Sequence, residues 1–219
     1  MKSVMLNSNM MSNIVSNSNI FSIDTTEVWG RGLLLGGNPK NPRDSLYKGV
    51  ILLFHQIDNS VLGLQLNRRL EGINLKRIVS NLGFESAEKI IQDNVYQGGV
   101  LGSNRMHFVH SLDWTGPSTI TVDNCIGITS DLSILSALCG NQGPKLYRAC
   151  VGSWRWDMET LKEQIFNLDP DVDVQDHLWE VSRVNSSLVF NYDGEAQWTR
   201  VMENSAQMQS RCWINQSFS

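Results

Sequence analysis

The stretch Val50-Ile-Leu-Leu-Phe-His-Gln-Ile-Asp-Asn-Ser-Val-Leu-Gly-Leu-Gln-Leu66 holds two apolar runs, Val50–Phe54 and Val61–Leu66, separated by a polar interval from Gln56 to Ser60. Apolar runs of that length bounded by turn residues read as strands, and the interval is short enough for a hairpin. Upstream, Leu33–Leu35 predicts a first strand, followed by a loop through Gly36, Gly37, Asn38, Pro39, Asn41 and Pro42. Downstream, Leu75, Ile78, Val79 and Leu82 fall at helical spacing over 74–81, with Gly83 placed for a left-handed cap. Further strands are expected at Val95–Tyr96, Met106–Val109, Ile120–Val122, Cys125–Ile128, Lys145–Val151 and Leu188–Phe190. Helices are expected from a Thr129 or Ser130 cap through Leu138, closed by Gly140; from an Asp157 cap to Leu168; and from Glu195 to Met202. The strands are short, often adjacent and not regularly alternated with helices. They predict an α+β fold, a mixed, largely antiparallel sheet flanked by helices.

No linker-like interval or repeat divides residues 28–204, so one domain is expected there, with a polar arm at 1–27 and an extension at 205–219. The first 22 residues contain five Asn and six Ser and lack the continuous apolar stretch of a signal peptide. Nothing approaches the length of a membrane span. The expected location is cytoplasmic, or a plastid stroma or host cytoplasm for a plastid or viral source, with the cysteines reduced. A formal net charge of −4 over 219 residues argues against nucleic acid as a partner, because phosphate binding needs clustered Lys and Arg. The four cysteines, Cys125, Cys139, Cys150 and Cys212, form no zinc-type spacing.

Candidate chemistry is sparse. His107 and His110 lie three apart on an expected strand and so point to opposite sides, which argues against a shared metal. The run Asp169, Asp171, Asp173 with Glu180 twelfth matches a calcium-loop template at its carboxylates, but Val174 stands where the sharp turn needs glycine. A solvated acidic turn is the alternative. Gly152-Ser153-Trp154 lacks the flanking glycines of a nucleophile elbow, and Cys150 sits among apolar neighbours that favour a buried thiol. Gly36-Gly37 and Gly98-Gly99 fall in no phosphate-loop or dinucleotide pattern, so no cofactor is expected. Trp154 and Trp156 flank Arg155, residue types that serve as interface anchors.

Several segments, in order, resemble the AlgH/YqgE family of bacterial proteins. They are Tyr47 through Gln56 with Leu62-Gly-Leu-Gln-Leu-Asn67-Arg68; Gln97-Gly98-Gly99-Val100 with Phe108-Val109-His110; Gly127 through Leu132; Gly152 through Ile165; and Leu188-Val-Phe190 with Trp198. The resemblance spans about residues 30 to 204 and implies a mixed β-sheet with surrounding helices. It carries no accepted reaction. Departures occur at Phe54-His55-Gln56, at Arg69 and Val100 where the resembled motifs have proline, and at Arg155, Glu159, Thr160 and Lys162. They describe a divergent member with the scaffold kept and the surface changed.

With no nucleophile, base or metal set assembled, the expected function is a non-enzymatic regulatory or protein-binding module. Its expected surface comprises Asn67, Arg68, Gly98, Gly99, His110, Trp154, Arg155 and Trp156. One alternative is a structural subunit of a larger assembly, viral or pigment-protein, using both terminal extensions against another copy or a different protein. The other is a small-molecule hydrolase using His110 or Cys150 with Asp131, which would require two of those side chains to share a pocket.

Overall fold

A computed structural model describes residues 29–39, 45–84, 87–166 and 179–217. The hairpin forms as β2 (Val50–Ile57) and β3 (Ser60–Gln65), with β1 (Leu33–Gly37) antiparallel to β2 on its other side. Its turn is Asp58-Asn59, where Asp58 takes φ 52°, a left-handed conformation that aspartate tolerates. Side chains alternate as a half-twisted ladder demands: Val50, Leu52 and Phe54 enter one apolar layer, Ile51 and Leu53 the opposite one. The sheet has ten strands, in the order β10 (Trp179–Arg183), β1, β2, β3, β9 (Tyr147–Asp157), β6 (Leu101–His110), β8 (Ile126–Thr129), β7 (Ile120–Val122). A branch of β4 (Arg69–Asn74) and β5 (Asn94–Gln97) joins β9, and β5 with β9 is the parallel pair. The expected mixed, largely antiparallel sheet is present.

β9 serves two ladders along one edge. Its residues 149–151 pair with β5, and its residues 154–157 pair with β3. The sheet curls until the ends of its strand order meet: Arg183 in β10 lies 3.6 Å from Asp123, between β7 and β8, and the Cys125 thiol contacts the Val184 carbonyl. Strands from both ends therefore share one central apolar layer, including Leu34, Leu52, Leu64, Val109, Ile128 and Cys150. Helices α4 (Ser186–Phe190) and α5 (Gly194–Ser217) cover it through Leu188, Val189 and Val201. The outer face of β5, β6 and β9 is covered by α1 (Leu75–Asn81) and α2 (Ser133–Cys139); that of β1–β3 packs on α3 (Met158–Phe166). No described helix is long and apolar enough to cross a membrane.

Local signals set most boundaries. Asn74 caps α1 by accepting from the Arg77 amide (2.9 Å), and Gly83 (φ 82°) ends it with the Gly83 amide on Ser80 and the Phe84 amide on Val79. Asp157 caps α3 as expected, accepting from the Glu159 and Thr160 amides at 3.1 Å. Four expectations need correction. Thr129 is the last residue of β8 and Ser130 bonds His107, so Asp131 instead accepts from the Ser133 amide at the start of α2. Gly140 has φ −84°, and the left-handed residue after α2 is Asn141. Leu188–Phe190 is helical, because Asn185 accepts from the Leu188 amide and nucleates a turn ahead of three apolar residues too few to show a period. The helix expected to stop at Met202 runs 24 residues, about 36 Å at 1.5 Å per residue, with Ser205 buried against Glu180. The polar arm at 1–27 and Phe218 lie outside the described residues, as do the side chains of Cys212 and Trp213.

Candidate functional site

A cleft of about 340 Å³ opens between the start of the β4–β5 pair and the turn joining α4 to α5. Its floor is Arg148, an arginine inside the apolar run of β9, where the period-2 alternation points it into the central layer and leaves it 5% exposed. A buried guanidinium must be paired and hydrogen-bonded to be tolerated. Here it donates to the carbonyls of Leu66 and Tyr192 and to Gln197 Oε1 (3.1 Å), stacks 4.4 Å from the Tyr96 ring centroid, and lies 3.7 Å from Asp193 Oδ1. It thus ties the end of β3 to the α4–α5 turn.

Asp193 is the hub. Its Oδ1 accepts from the Gly194 amide at the α5 start, a position where helix geometry favours an anion. Its Oδ2 accepts from Arg69 Nε (2.6 Å) and the Tyr96 hydroxyl (3.1 Å). Burial raises the Tyr96 pKa above its ordinary value, which keeps the phenol protonated as a donor. Hydrogen bonding to Tyr96 and the charge of Asp193 hold Arg69 ionised. At the lip stands Ile91, 90% exposed. Beside the cleft, Asn67 accepts from the Val50 amide and donates to the carbonyls of Lys48 and Gly194, while Lys48 pairs with Glu195 at 2.5 Å. The cleft offers fixed donors, a carboxylate and aromatic edges, a chemistry suited to binding.

Of the eight surface residues expected from sequence, Arg68 and Arg155 are exposed. Arg68 donates to the Ser45 carbonyl one residue from the cleft, and Asn67 is the clasp just described. Gly98 and Gly99 are buried where β5 leaves β9: a Cβ on Gly99 would lie 2.0 Å from the Ser153 carbonyl carbon. Trp154 and Trp156 stack at 6.1 Å and half-bury against α3, with Trp179 edge-on to Trp156, while Arg155 points to the opposite face. His110 is fully buried, edge-on to Trp114, with Nδ1 donating to the Ser111 carbonyl; burial lowers its pKa.

Two of the three hydrolase residues, His110 and Cys150, are kept apart by the sheet. Cys150 pairs across the ladder with His107 and so shares its face, opposite that of His110. Burial pushes the Cys150 thiol up to about 12. A Ser130–His107 contact of 2.8 Å, not foreseen from sequence, places an exposed hydroxyl on an imidazole. Burial, with Arg105 adding to it, lowers that imidazole to about 4, which leaves it a feeble base. Of the calcium-loop residues, Asp169, Asp171 and Asp173 lie outside the described residues, and Glu180 accepts from Ser205 and Gln209. No group of three metal-binding side chains occurs among the described residues.

Sequence reading missed Arg69, Tyr96, Arg148 and Asp193 as a set. Two signals were present: an arginine inside the apolar strand run Tyr147–Val151, and an arginine replacing the proline of a resembled motif at 69.

Residues 34–209 match the family described as AlgH-like. Among curated relatives, the UPF0301 protein GOX1459 of Gluconobacter oxydans is 26% identical over 153 residues, 70% of this chain and 78% of that protein. A UPF0301 protein of Caulobacter vibrioides is 25% identical over 175 residues, 79% of this chain and 84% of that protein. The fold is similar to the solution structure of the AlgH protein from Pseudomonas aeruginosa (TM-score 0.62, 17% identity, covering 81% of this chain and 90% of that one). It is also similar to protein DIP2367 from Corynebacterium diphtheriae (TM-score 0.60, 15% identity, 80% and 87%). The match over most of its length places this chain in the AlgH-like family.

Proposed function

We propose that the chain is a non-enzymatic regulatory module that docks a protein partner at the cleft between the β4–β5 pair and the α4–α5 turn. The observation that carries this reading is Ile91, an aliphatic side chain 90% exposed at the lip of a cleft whose polar groups are already held in place by Arg148 and Asp193. An apolar anchor beside preorganised donors is the arrangement from which interface hot spots are built. The separation of His110 from Cys150 on opposite sheet faces supports binding over hydrolysis. Crosslinking of the full chain in cell extract, with quantitative mass spectrometry, tests it. Ile91→Asp should abolish the captured partner while Arg155→Ala, on another face, retains it. Equal capture by Ile91→Asp and the unaltered chain would end this reading.

A further inference from the structure

The charges that line the cleft cancel: Arg69 and Arg148 stand against Asp93 and Asp193. Each is engaged within the chain. Arg69 Nε donates to Asp193, Arg148 donates to the Leu66 and Tyr192 carbonyls and to Gln197, and Asp93 Oδ1 accepts from the Lys76 amide at 2.6 Å. A charge of either sign brought there meets both signs at close range and gains little from their sum, while it gives up its water. The occupant that fits is uncharged. The cleft leaves open the apolar Ile91, 90% exposed, and the exposed carboxamides of Asn94 and Asn191. β4 offers no regular ladder edge, since its register steps from Arg69↔Tyr96 to Asn74↔Asn94. Recognition therefore rests on side chains, an apolar contact with neutral hydrogen bonds beside it.

The chain itself contains a segment of that chemistry. Residues 3–23, outside the described residues, carry no Asp, Glu, Lys, Arg or His; they are five Asn, six Ser and ten apolar residues, Phe21 among them. In a sequence that is 18% charged, this is the longest run without a charge. The arm joins the described chain at Trp29, which packs on the outer layer of β1–β3 with Lys162 Nζ 5.4 Å from its ring centroid. At roughly 3.3 Å per residue, 27 residues reach as far as about 90 Å, against a domain about 40 Å across, so the cleft is within range. Tethering also sets the local concentration of the arm on the order of 1 mM, above that of a diffusing segment of equal fit.

We infer that the cleft is covered by this chain's own segment 3–23, an apolar side chain of the segment lying on Ile91, so that the arm competes with the protein partner. The inference rests on the docking function proposed above and adds its regulation. Photo-crosslinking of the purified full chain tests it, with a benzophenone amino acid placed at Ile91, or at Asn94 if the first variant misfolds, in an equal mixture of nitrogen-15-labelled and unlabelled chains. Mass spectrometry should find crosslinks to residues 3–23 within one chain, and the same probe at Arg155 should give none. Ile14→Asp with Phe21→Asp should lower the crosslink yield about tenfold or more, since each removes an apolar contact, and should raise partner capture from extract. Added salt should leave the yield unchanged, because no net charge is paired. Equal arm crosslinking from Arg155 overturns the inference, as do crosslinks that join labelled to unlabelled chains, which would mark a second copy as the occupant. If no arm crosslink forms while Ile91→Asp still loses its captured partner, the docking function stands and the arm assignment falls. If the arm crosslinks but Ile91→Asp leaves capture unchanged, the docking function falls, and the regulatory role with it.

Discussion

Acid should unfold this protein partly through one imidazole. His107 is 7% exposed, beside Phe54 (ring centroids 5.9 Å apart), with Nδ1 on the Ser130 hydroxyl, and burial lowers its pKa from 6.5 to about 4. In the unfolded chain the same group titrates near its ordinary value. Between those values the unfolded state binds more protons than the folded one, so stability is full above 6.5 and is lost as pH falls toward 4. The linkage integral for a shift of that size gives a loss of about 2 kcal/mol at a pH of about 5, and about 3 kcal/mol at about 4. His107→Gln keeps an acceptor for Ser130 and cannot titrate. Urea denaturation of both chains across this range, followed by circular dichroism, should give free-energy curves that converge as pH falls. His110, also lowered by burial, contributes equally to both curves. Parallel curves would refute the assignment of this acid sensitivity to His107.

Other perturbations test the framework. Arg148→Met leaves Asp193 paired with Arg69 but strands the Leu66 and Tyr192 carbonyls and Gln197 Oε1, so chemical denaturation should show a loss of about 2–5 kcal/mol. Gly99→Ala drives a methyl group into the Ser153 backbone; a loss of about 1–3 kcal/mol, or failure to fold, is the expected result by thermal melt. With its thiol raised to about 12, Cys150 should resist alkylation at neutral pH in the folded protein and react rapidly in denaturant, as peptide mapping after iodoacetamide would record.

The hairpin, α1 and α3 were legible because their signals are local: a turn of Asp58-Asn59, an Asn74 cap with Gly83, and an Asp157 cap all act within a few residues. β4 and β10 were not. Arg69–Asn74 is exposed along most of its length and carries no apolar face, and Trp179–Arg183 mixes Glu, Ser and Arg with two apolar residues because it pairs on one side and is covered by α5. The glycines at 98 and 99 were visible in sequence, but a pair that opens a surface and a pair that lets two backbones press together look alike until the neighbouring backbone is placed. The cleft failed to appear for a related reason. Arg69, Tyr96, Arg148 and Asp193 come from four separate segments, and only the β5–β9 pairing and the α4–α5 turn bring them together.

Because β9 feeds β5 from its first half and β3 from its second, it fixes the chain length that lineages of this fold can tolerate there. One residue gained or lost within Tyr147–Asp157 would flip the side chains of a whole half-sheet to the wrong layer. Length variation is therefore free to accumulate in the arch of β4, whose residues 70–73 sit outside any ladder at the border of the cleft. The segment most open to insertion and deletion thus lies beside the cleft, whose rim can change length while the sheet stays fixed.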